Sequence, residues 1–149
     1  NSALKIAGTD NSFLHRSLII STDVNHGYNP NFSRYYDEDY RVSLGQGLMW
    51  FFTNVTSRAA SSFVQNIANK EGIPLFPFAN KQGQSSGSTI GTYMGAMHGA
   101  LVIDIGIPLL AMHSIRELAS FKDIENLYKF SKAIYDHIDE LIALRKSID

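Results

Sequence analysis

Hydrophobic residues along the chain form four short runs, separated by polar, glycine-containing or helically spaced segments. These runs have the length and composition of buried strands. They lie at 17–22, 48–53, 74–79 and 100–105. Apolar residues at helical spacing predict helices between and after them. The helices are expected at 56–70, 89–98 and 123–142. The pattern predicts one α/β domain in which helices flank a mixed sheet.

Polar residues mark where several elements begin and end. Thr56 is the expected N-cap of the first helix, and Ser120 with Asp123 resembles a capping box at the start of the last one. Turn-forming residues at 25–32 predict a loop, and Pro77 places the run at 74–79 toward the edge of the sheet.

Two polar segments each follow a strongly apolar run. Asp23 to His26 follows the first predicted strand, and Met112 to Glu117 follows the long apolar run that ends at Leu110. Ligands bind at the carboxyl ends of strands in open α/β sheets, so a carboxylate and an imidazole delivered there are candidate metal ligands. The candidates are Asp23 and His113, and two ligands do not complete a site.

Composition narrows the classes of partner. The chain has 149 residues, 44% of them hydrophobic, and its 13 basic and 14 acidic residues give a net charge of -1. Because no basic cluster is present, nucleic acid is not an expected partner. Cysteine is absent, which excludes disulfides and thiolate metal sites. No apolar run reaches the roughly 18 residues that span a bilayer, and no signal peptide is visible. We expect a soluble cytoplasmic protein with no membrane partner.

A loop rich in glycine and serine precedes the second predicted helix. It runs from Lys81 to Gly91 and includes Gly87 and Ser88. Free amides at the start of the following helix could bind an anion, whereas a plain flexible connection is the alternative interpretation.

Four ordered motifs resemble the C-terminal part of the aspartyl aminopeptidase family, which includes the vacuolar aminopeptidase I type of dinuclear zinc exopeptidase. Together they extend over most of the chain and are far more specific than any one alone. The motifs are Ser21-Thr22-Asp23-Val24-Asn25-His26 with Pro30-Asn31-Phe32, Gly87-Ser88-Thr89-Ile90-Gly91, Asp104-Ile105-Gly106, and Ala111-Met112-His113-Ser114-Ile115-Arg116-Glu117.

The resemblance implies a three-layer zinc-exopeptidase fold that is incomplete at its N-terminal side, with residues 1–149 forming the C-terminal portion of the catalytic domain. It implies that Asp23 and His113 each bind one of two zinc ions, and that His26, Gly87 and Ser88 lie beside a peptide substrate. The family's other histidine, its bridging aspartate and its general-base glutamate would precede Asn1. The family also forms large homo-oligomers such as dodecamers. The chain starts without methionine, so it is expected to be a processed chain or an internal piece.

Two substitutions depart from the family pattern. Phe51 and Arg58 occupy positions where the family has a lysine and a tyrosine that contact the substrate, so the sequence does not determine whether acidic N-terminal residues are preferred. In the loop before Gly87, Gly83 and Ser86 replace a common aspartate and cysteine.

Each candidate residue also has a structural interpretation. Asp23 could cap a loop, and His26 could be a hydrogen-bonded loop histidine. Asp104, inside an apolar strand, is expected to satisfy neighbouring backbone amides, and Arg116 with Glu117 is expected to be structural. Two functions follow: a zinc aminopeptidase that removes N-terminal residues from peptides, or a non-catalytic relative that keeps the fold and the subunit contacts.

Overall fold

The computed structural model describes residues 17–53, 56–81, 83, 89–98 and 100–146. In chain order the strands are β1 (Leu18–His26), β2 (Leu48–Phe51), β3 (Leu75–Phe78), β4 (Leu101–Leu110) and β5 (Leu118–Ala119). The helices are α1 (Arg58–Lys70), α2 (Ile90–His98), α3 (Phe121–Asp136) and α4 (Ile138–Lys146), and a short 3-10 helix spans Pro30–Tyr35. All four predicted strands and the three helical regions are therefore present.

The strands form a single mixed sheet in the order β1-β4-β2-β3, with β5 paired to β4. β1 runs parallel to β4 and β2 parallel to β3, whereas β2 and β5 run antiparallel to β4. In the β1–β4 register, Asp23 lies beside Gly106 and His26 beside Leu109. The mixed sheet confirms the predicted fold class. β1, which carries Asp23, is the parallel neighbour of β4, which His113 follows.

The two faces of β4 contact different helices, because successive side chains in a strand point to opposite sides. Ile103, Ile105 and Ile107 are buried in a core that contains Phe63 of α1 and Phe130 of α3. Asp104 and Gly106 point to the other face, where Gly91 of α2 packs close to Asp104 and Ser21. The fold therefore has three layers, with α1, α3 and α4 on one side of the sheet and α2 on the other.

Two strand boundaries were predicted wrongly. β1 continues through His26, so Asp23 lies within the strand and not beyond it, and part of the predicted 25–32 loop is strand. β4 likewise continues from the predicted end at 105 to Leu110. Both strands are longer than predicted because residues 23–26 of β1 pair with residues 106–109 of β4. The polar composition of residues 23–26 does not reveal this pairing.

The helices also differ from the prediction in their ends. Ser57, not Thr56, caps α1, because the Ser57 hydroxyl accepts a hydrogen bond from the Ala60 amide at 3.0 Å. Thr56 instead donates its hydroxyl to the Phe51 carbonyl at 2.9 Å. The predicted helix at 123–142 is two helices that meet at His137. Of the helices in the described part, none is long and apolar enough to cross a membrane.

The capping box predicted at the start of α3 is replaced by a long-range contact. Ser120 is the N-cap residue, but its side chain makes no capping hydrogen bond. The fully buried Asp123 carboxylate instead accepts a hydrogen bond from the Gly45 amide at 2.6 Å. Burial raises the pKa of Asp123, and this bond to Gly45 opposes the shift. Asp123 thus fixes the turn that leads into β2 on the start of α3.

Candidate metal and substrate site

Asp23 lies in the second half of β1 and is exposed. Its Oδ1 accepts a hydrogen bond from the Val24 amide at 2.8 Å. Among the residues that the structure describes, no donor reaches Oδ2, which leaves that oxygen available to a ligand. The contact with Val24 lies within β1 and is not the loop cap of the structural interpretation, and it is compatible with metal binding through the second oxygen.

Gly106, the neighbour of Asp23 on β4, allows a close approach of three chain segments. A Cβ at Gly106 would lie 2.8 Å from the Asp23 carbonyl oxygen and 3.4 Å from the Phe51 ring. The Phe51 ring in turn packs edge-to-face on Phe78, with centroids 5.7 Å apart. Phe51, one of the two departures from the family pattern, therefore covers the strand beside Asp23 with an apolar ring.

His113 lies in a tight turn directly after β4. Ala111 and His113 have φ angles of 57° and 68°, which non-glycine residues rarely adopt. The turn is closed by a hydrogen bond from the Ser114 amide to the Ala111 carbonyl at 3.0 Å. The Glu117 carboxylate accepts a hydrogen bond from the His113 amide at 2.5 Å, as expected for a structural charge. Such conformations each cost roughly 1–3 kcal/mol and cluster at functional sites, which favours a specific role for His113.

Asp104 joins the start of α2 to the sheet. It is fully buried, and its Oδ1 accepts a hydrogen bond from the Thr89 hydroxyl at 2.5 Å. Among the described residues the partner of Asp104 is therefore the side chain of Thr89, directly before α2, and not the backbone amides that were predicted. Within the described residues Oδ2 has no hydrogen-bond partner. Gly91 packs where any side chain would meet Asp104 and Ser21, so this glycine is required for the close approach of α2.

The remaining candidates fall into two groups. His26 ends β1, is exposed, and lines a cleft of ≈ 500 Å³ together with residues that include Met112. Gly87 and Ser88 lie outside the described residues, so their predicted contact with substrate stays a prediction. The sequence did not identify Thr89 as the partner of Asp104, although a lone carboxylate inside an apolar strand signals that some polar partner must exist.

The two candidate ligands fit part of a zinc site. A carboxylate oxygen and an imidazole nitrogen are both zinc donors, and a catalytic zinc ion commonly has three protein ligands and a water. Residues 17–53, 56–81, 83, 89–98 and 100–146 contain no group of three or more His, Asp or Glu residues that could hold a metal ion. Asp23 lies on β1, and His113 follows β4, the parallel neighbour of β1. The convergence of the two side chains stays a prediction.

Comparison with known proteins gives the same family in three ways. Residues 2–135 match the model of the aminopeptidase I zinc metalloprotease (M18) family. Over 126 residues the chain is 32% identical to the probable M18 family aminopeptidase 2 of Ectopseudomonas mendocina, covering 82% of this chain and 29% of that protein. It is 30% identical over 139 residues to the probable aspartyl aminopeptidase of Ricinus communis, covering 88% of this chain and 28% of that protein.

Solved structures agree in fold. The prApe1 crystal structure superimposes with a TM-score of 0.85 and 28% identity, covering 99% of this chain and 32% of that one. The S. cerevesiae mApe1 dodecamer gives a TM-score of 0.76 and 27% identity, covering 93% of this chain and 30% of that one. The chain spans less than a third of the length of these relatives. On the match of its residues 2–135, the chain belongs to the aminopeptidase I zinc metalloprotease (M18) family.

Proposed function

We propose that this chain is the C-terminal portion of the catalytic domain of a zinc aminopeptidase, which removes N-terminal residues from peptides. The observation that supports this most strongly is the parallel pairing of β1, which carries Asp23, with β4, which His113 follows, inside the region that matches the family. Family membership alone would be compatible with a chain in which these positions had been lost.

In this proposal Asp23 and His113 would each hold one of two zinc ions. When bound, zinc acts as a Lewis acid and lowers the pKa of a coordinated water. The chain's own residues orient these ligands. Glu117 fixes the backbone of His113, the Val24 amide fixes one oxygen of Asp23, and Asp104 with Thr89 holds the start of α2 beside the same strands.

His26, Gly87 and Ser88 are proposed to contact the substrate, and the general-base glutamate and the remaining ligands would come from a part of the longer protein that precedes this chain. No observation favours the alternative of a non-catalytic relative. Phe51 places an apolar ring on Gly106 beside Asp23, where the family has a lysine, so this position offers no positive charge to an acidic substrate side chain.

We also propose that the protein is a homo-oligomer. Its support is the S. cerevesiae relative, whose structure is a dodecamer. β1 and β3 are the outer strands of the described sheet, and such edges are usually covered in native proteins. Light scattering on the complete protein at micromolar concentration should give a mass well above that of a monomer.

Replacement of His113 tests the metal site. In the complete protein, His113→Ala should remove one of two zinc ions and lower kcat for peptide hydrolysis by at least about a hundredfold, because a direct metal ligand is lost. Metal content by mass spectrometry and initial rates measure the two effects, and circular dichroism checks the fold.

Ser114→Ala is the matched control. It changes the same exposed turn and removes only the hydrogen bond from the Arg116 amide to the Ser114 hydroxyl. Zinc content and rates close to those of the unsubstituted protein are expected. If His113→Ala retained full zinc and full activity, the assignment of His113 would be wrong.

A further inference from the structure

The cleft beside His26 has the dimensions of a site for a short ligand segment. Its volume is ≈ 500 Å³, within the range of small-molecule and peptide pockets, and it opens where β1, β3 and β4 end. His26 lies three residues after Asp23 on β1, and Met112 directly precedes His113. The cleft therefore adjoins both segments that carry the proposed zinc ligands.

One wall of the cleft is aromatic. Phe32 and Tyr35 lie on the 3-10 helix and remain 53% and 43% exposed, and Phe78 at the end of β3 also lines the cleft. Exposed aromatic rings that line a cleft indicate a surface at which binding of an apolar group is favourable.

The rim of the cleft is positively charged. Lys81 lines the cleft, and its ammonium donates a hydrogen bond at 2.9 Å to the carbonyl of Arg34, which precedes the lining residue Tyr35 on the 3-10 helix. The Arg34 guanidinium donates to the Tyr35 hydroxyl at 2.8 Å and lies 4.8 Å from the centroid of the Tyr35 ring. None of the described residues that line the cleft is acidic. The rim therefore favours a ligand that carries negative charge.

Hydrogen bonds hold the base of the cleft in place. The Tyr36 hydroxyl donates to the Gly27 carbonyl at 2.9 Å, and the Gly27 amide donates to the Leu109 carbonyl at 2.8 Å. Partial burial raises the pKa of Tyr36, so the phenol stays protonated and keeps donating at neutral pH. A preformed site loses little conformational entropy when a ligand binds.

We propose that this cleft binds the part of a peptide substrate that follows its N-terminal residue, with a bulky apolar second residue against Phe32 and Tyr35 and an acidic third residue at Lys81 and Arg34. The proposal rests on the proposed aminopeptidase function. It goes beyond that function because it assigns sequence selectivity to positions after the cleaved bond. Aromatic contact would supply most of the affinity, and the rim charges would mainly supply selectivity.

The test uses the complete protein and tetrapeptide amides that share an N-terminal alanine. The second residue is phenylalanine or glycine, and the third is aspartate or lysine. Phe32→Ala should lower kcat/KM about tenfold for the phenylalanine peptides and leave the glycine peptides nearly unchanged. Lys81→Glu should lower kcat/KM roughly two- to fivefold for the aspartate peptides and raise it for the lysine peptides.

The chain provides a matched control for each substitution. Phe121 is an exposed phenylalanine and Lys122 an exposed lysine at the start of α3, away from the cleft. Phe121→Ala and Lys122→Glu should leave the order of preference among the four peptides unchanged. The proposal is overturned if the cleft variants and the control variants change all four peptides equally.

Failure of the cleft and failure of the proposed function give different results. If the unsubstituted protein cleaves all four peptides equally well, the cleft assignment is wrong and the aminopeptidase function stands. If it cleaves none of them and none of a matched set with other N-terminal residues, the proposed function is wrong, and calorimetry with an N-acetylated Ala-Phe-Asp peptide then decides the cleft. Binding that Phe32→Ala weakens supports the cleft, and absence of binding overturns it.

Discussion

The two faces of β4 show how one strand can serve stability on one side and a site on the other. Toward α1 and α3, Ile103, Ile105 and Ile107 form a continuous apolar surface against large side chains such as Phe130. Toward α2, the same strand presents Asp104 and Gly106, with a buried hydrogen bond from Thr89 and a close backbone approach to Asp23. On the first face, apolar area removed from water stabilises the fold. On the second face, packing holds polar and backbone groups at fixed distances. Substitutions on the two faces should therefore differ in kind.

The largest expected effect lies on the face of β4 that packs against α1 and α3. Phe130 is 1% exposed, so Phe130→Ala should lower the free energy of unfolding by about 3–5 kcal/mol through lost burial and a residual cavity. Urea denaturation of the complete protein measures this loss, and KM of the molecules that remain folded should not change. Phe121, 82% exposed on the same helix, is the control, and its replacement by alanine should change stability by less than about 0.5 kcal/mol. Similar losses in the two variants would contradict the assignment of Phe130 to the core.

A smaller effect on stability and a larger one on metal binding are expected on the other face. In Gly106→Ala the new methyl group would press on the Asp23 carbonyl at 2.8 Å and on the Phe51 ring at 3.4 Å. Overpacking of this kind costs about 1–3 kcal/mol, and the displaced β1 should bind zinc more weakly.

Zinc titration against a chromophoric chelator, alongside urea denaturation, separates the two consequences of Gly106→Ala. Gly72→Ala is its control, because Gly72 has a φ of +64° with no atom within 4 Å of the new methyl group. It should lose stability through backbone strain alone and keep its zinc affinity. A Gly106→Ala protein with unchanged zinc affinity would show that this face does not position Asp23.

The smallest expected effect is a dependence of stability on pH at the junction of α3 and α4. The His137 ring bonds to Glu71 at 2.9 Å and to Glu140 at 2.8 Å, and Glu140 also pairs with Lys70 at 2.6 Å. The hydrogen bonds to Glu71 and then Glu140 raise the pKa of His137. A raised pKa in the folded state means that the stabilisation is complete below the ordinary histidine pKa of about 6.5. It is lost as the pH rises through the folded value.

Unfolding midpoints measured between pH 5.5 and 8.5 should therefore show a component that disappears in His137→Gln. Lys132 pairs with Asp136 nearby, and the hydrogen bond to Asp136 raises the pKa of Lys132 further above this range. Lys132→Gln is the control, and it should leave the pH dependence in place. The same pH profile in His137→Gln and the unsubstituted protein would contradict the assignment of this titration to His137.

The core of the fold could be predicted from sequence because buried segments are visible as local runs of apolar residues. β4 is covered on both faces, so its residues are a nearly continuous apolar run. The pairing of residues 23–26 with 106–109 could not be predicted in this way, because it joins distant parts of the chain and leaves Asp23 and His26 exposed. The break at His137 was missed for a similar reason. The apolar spacing continues through His137. Glu71, which bonds to the His137 ring, lies at the end of α1, far away in the sequence.

The motifs predicted which residues belong to the candidate site, but not the contacts between them. Asp23 and His113 were identified through the resemblance, and their role as metal ligands stays a prediction. The hydrogen bond between Thr89 and Asp104 and the contact of Phe51 with Gly106 depend on how separate segments pack, and no local pattern records either one.

The order of folding follows from the parallel pairing of β1 with β4. A parallel pair needs a crossover, and here β2, α1, β3 and α2 all lie between the two partners in the sequence. Contacts between such distant segments form late, because the entropy of closing a long loop must be overcome first. Asp23 and His113 consequently lie near opposite ends of a long loop whose closure is expected to be late. A chain that folds only as far as its local contacts would contain both residues without the strand pairing that relates them.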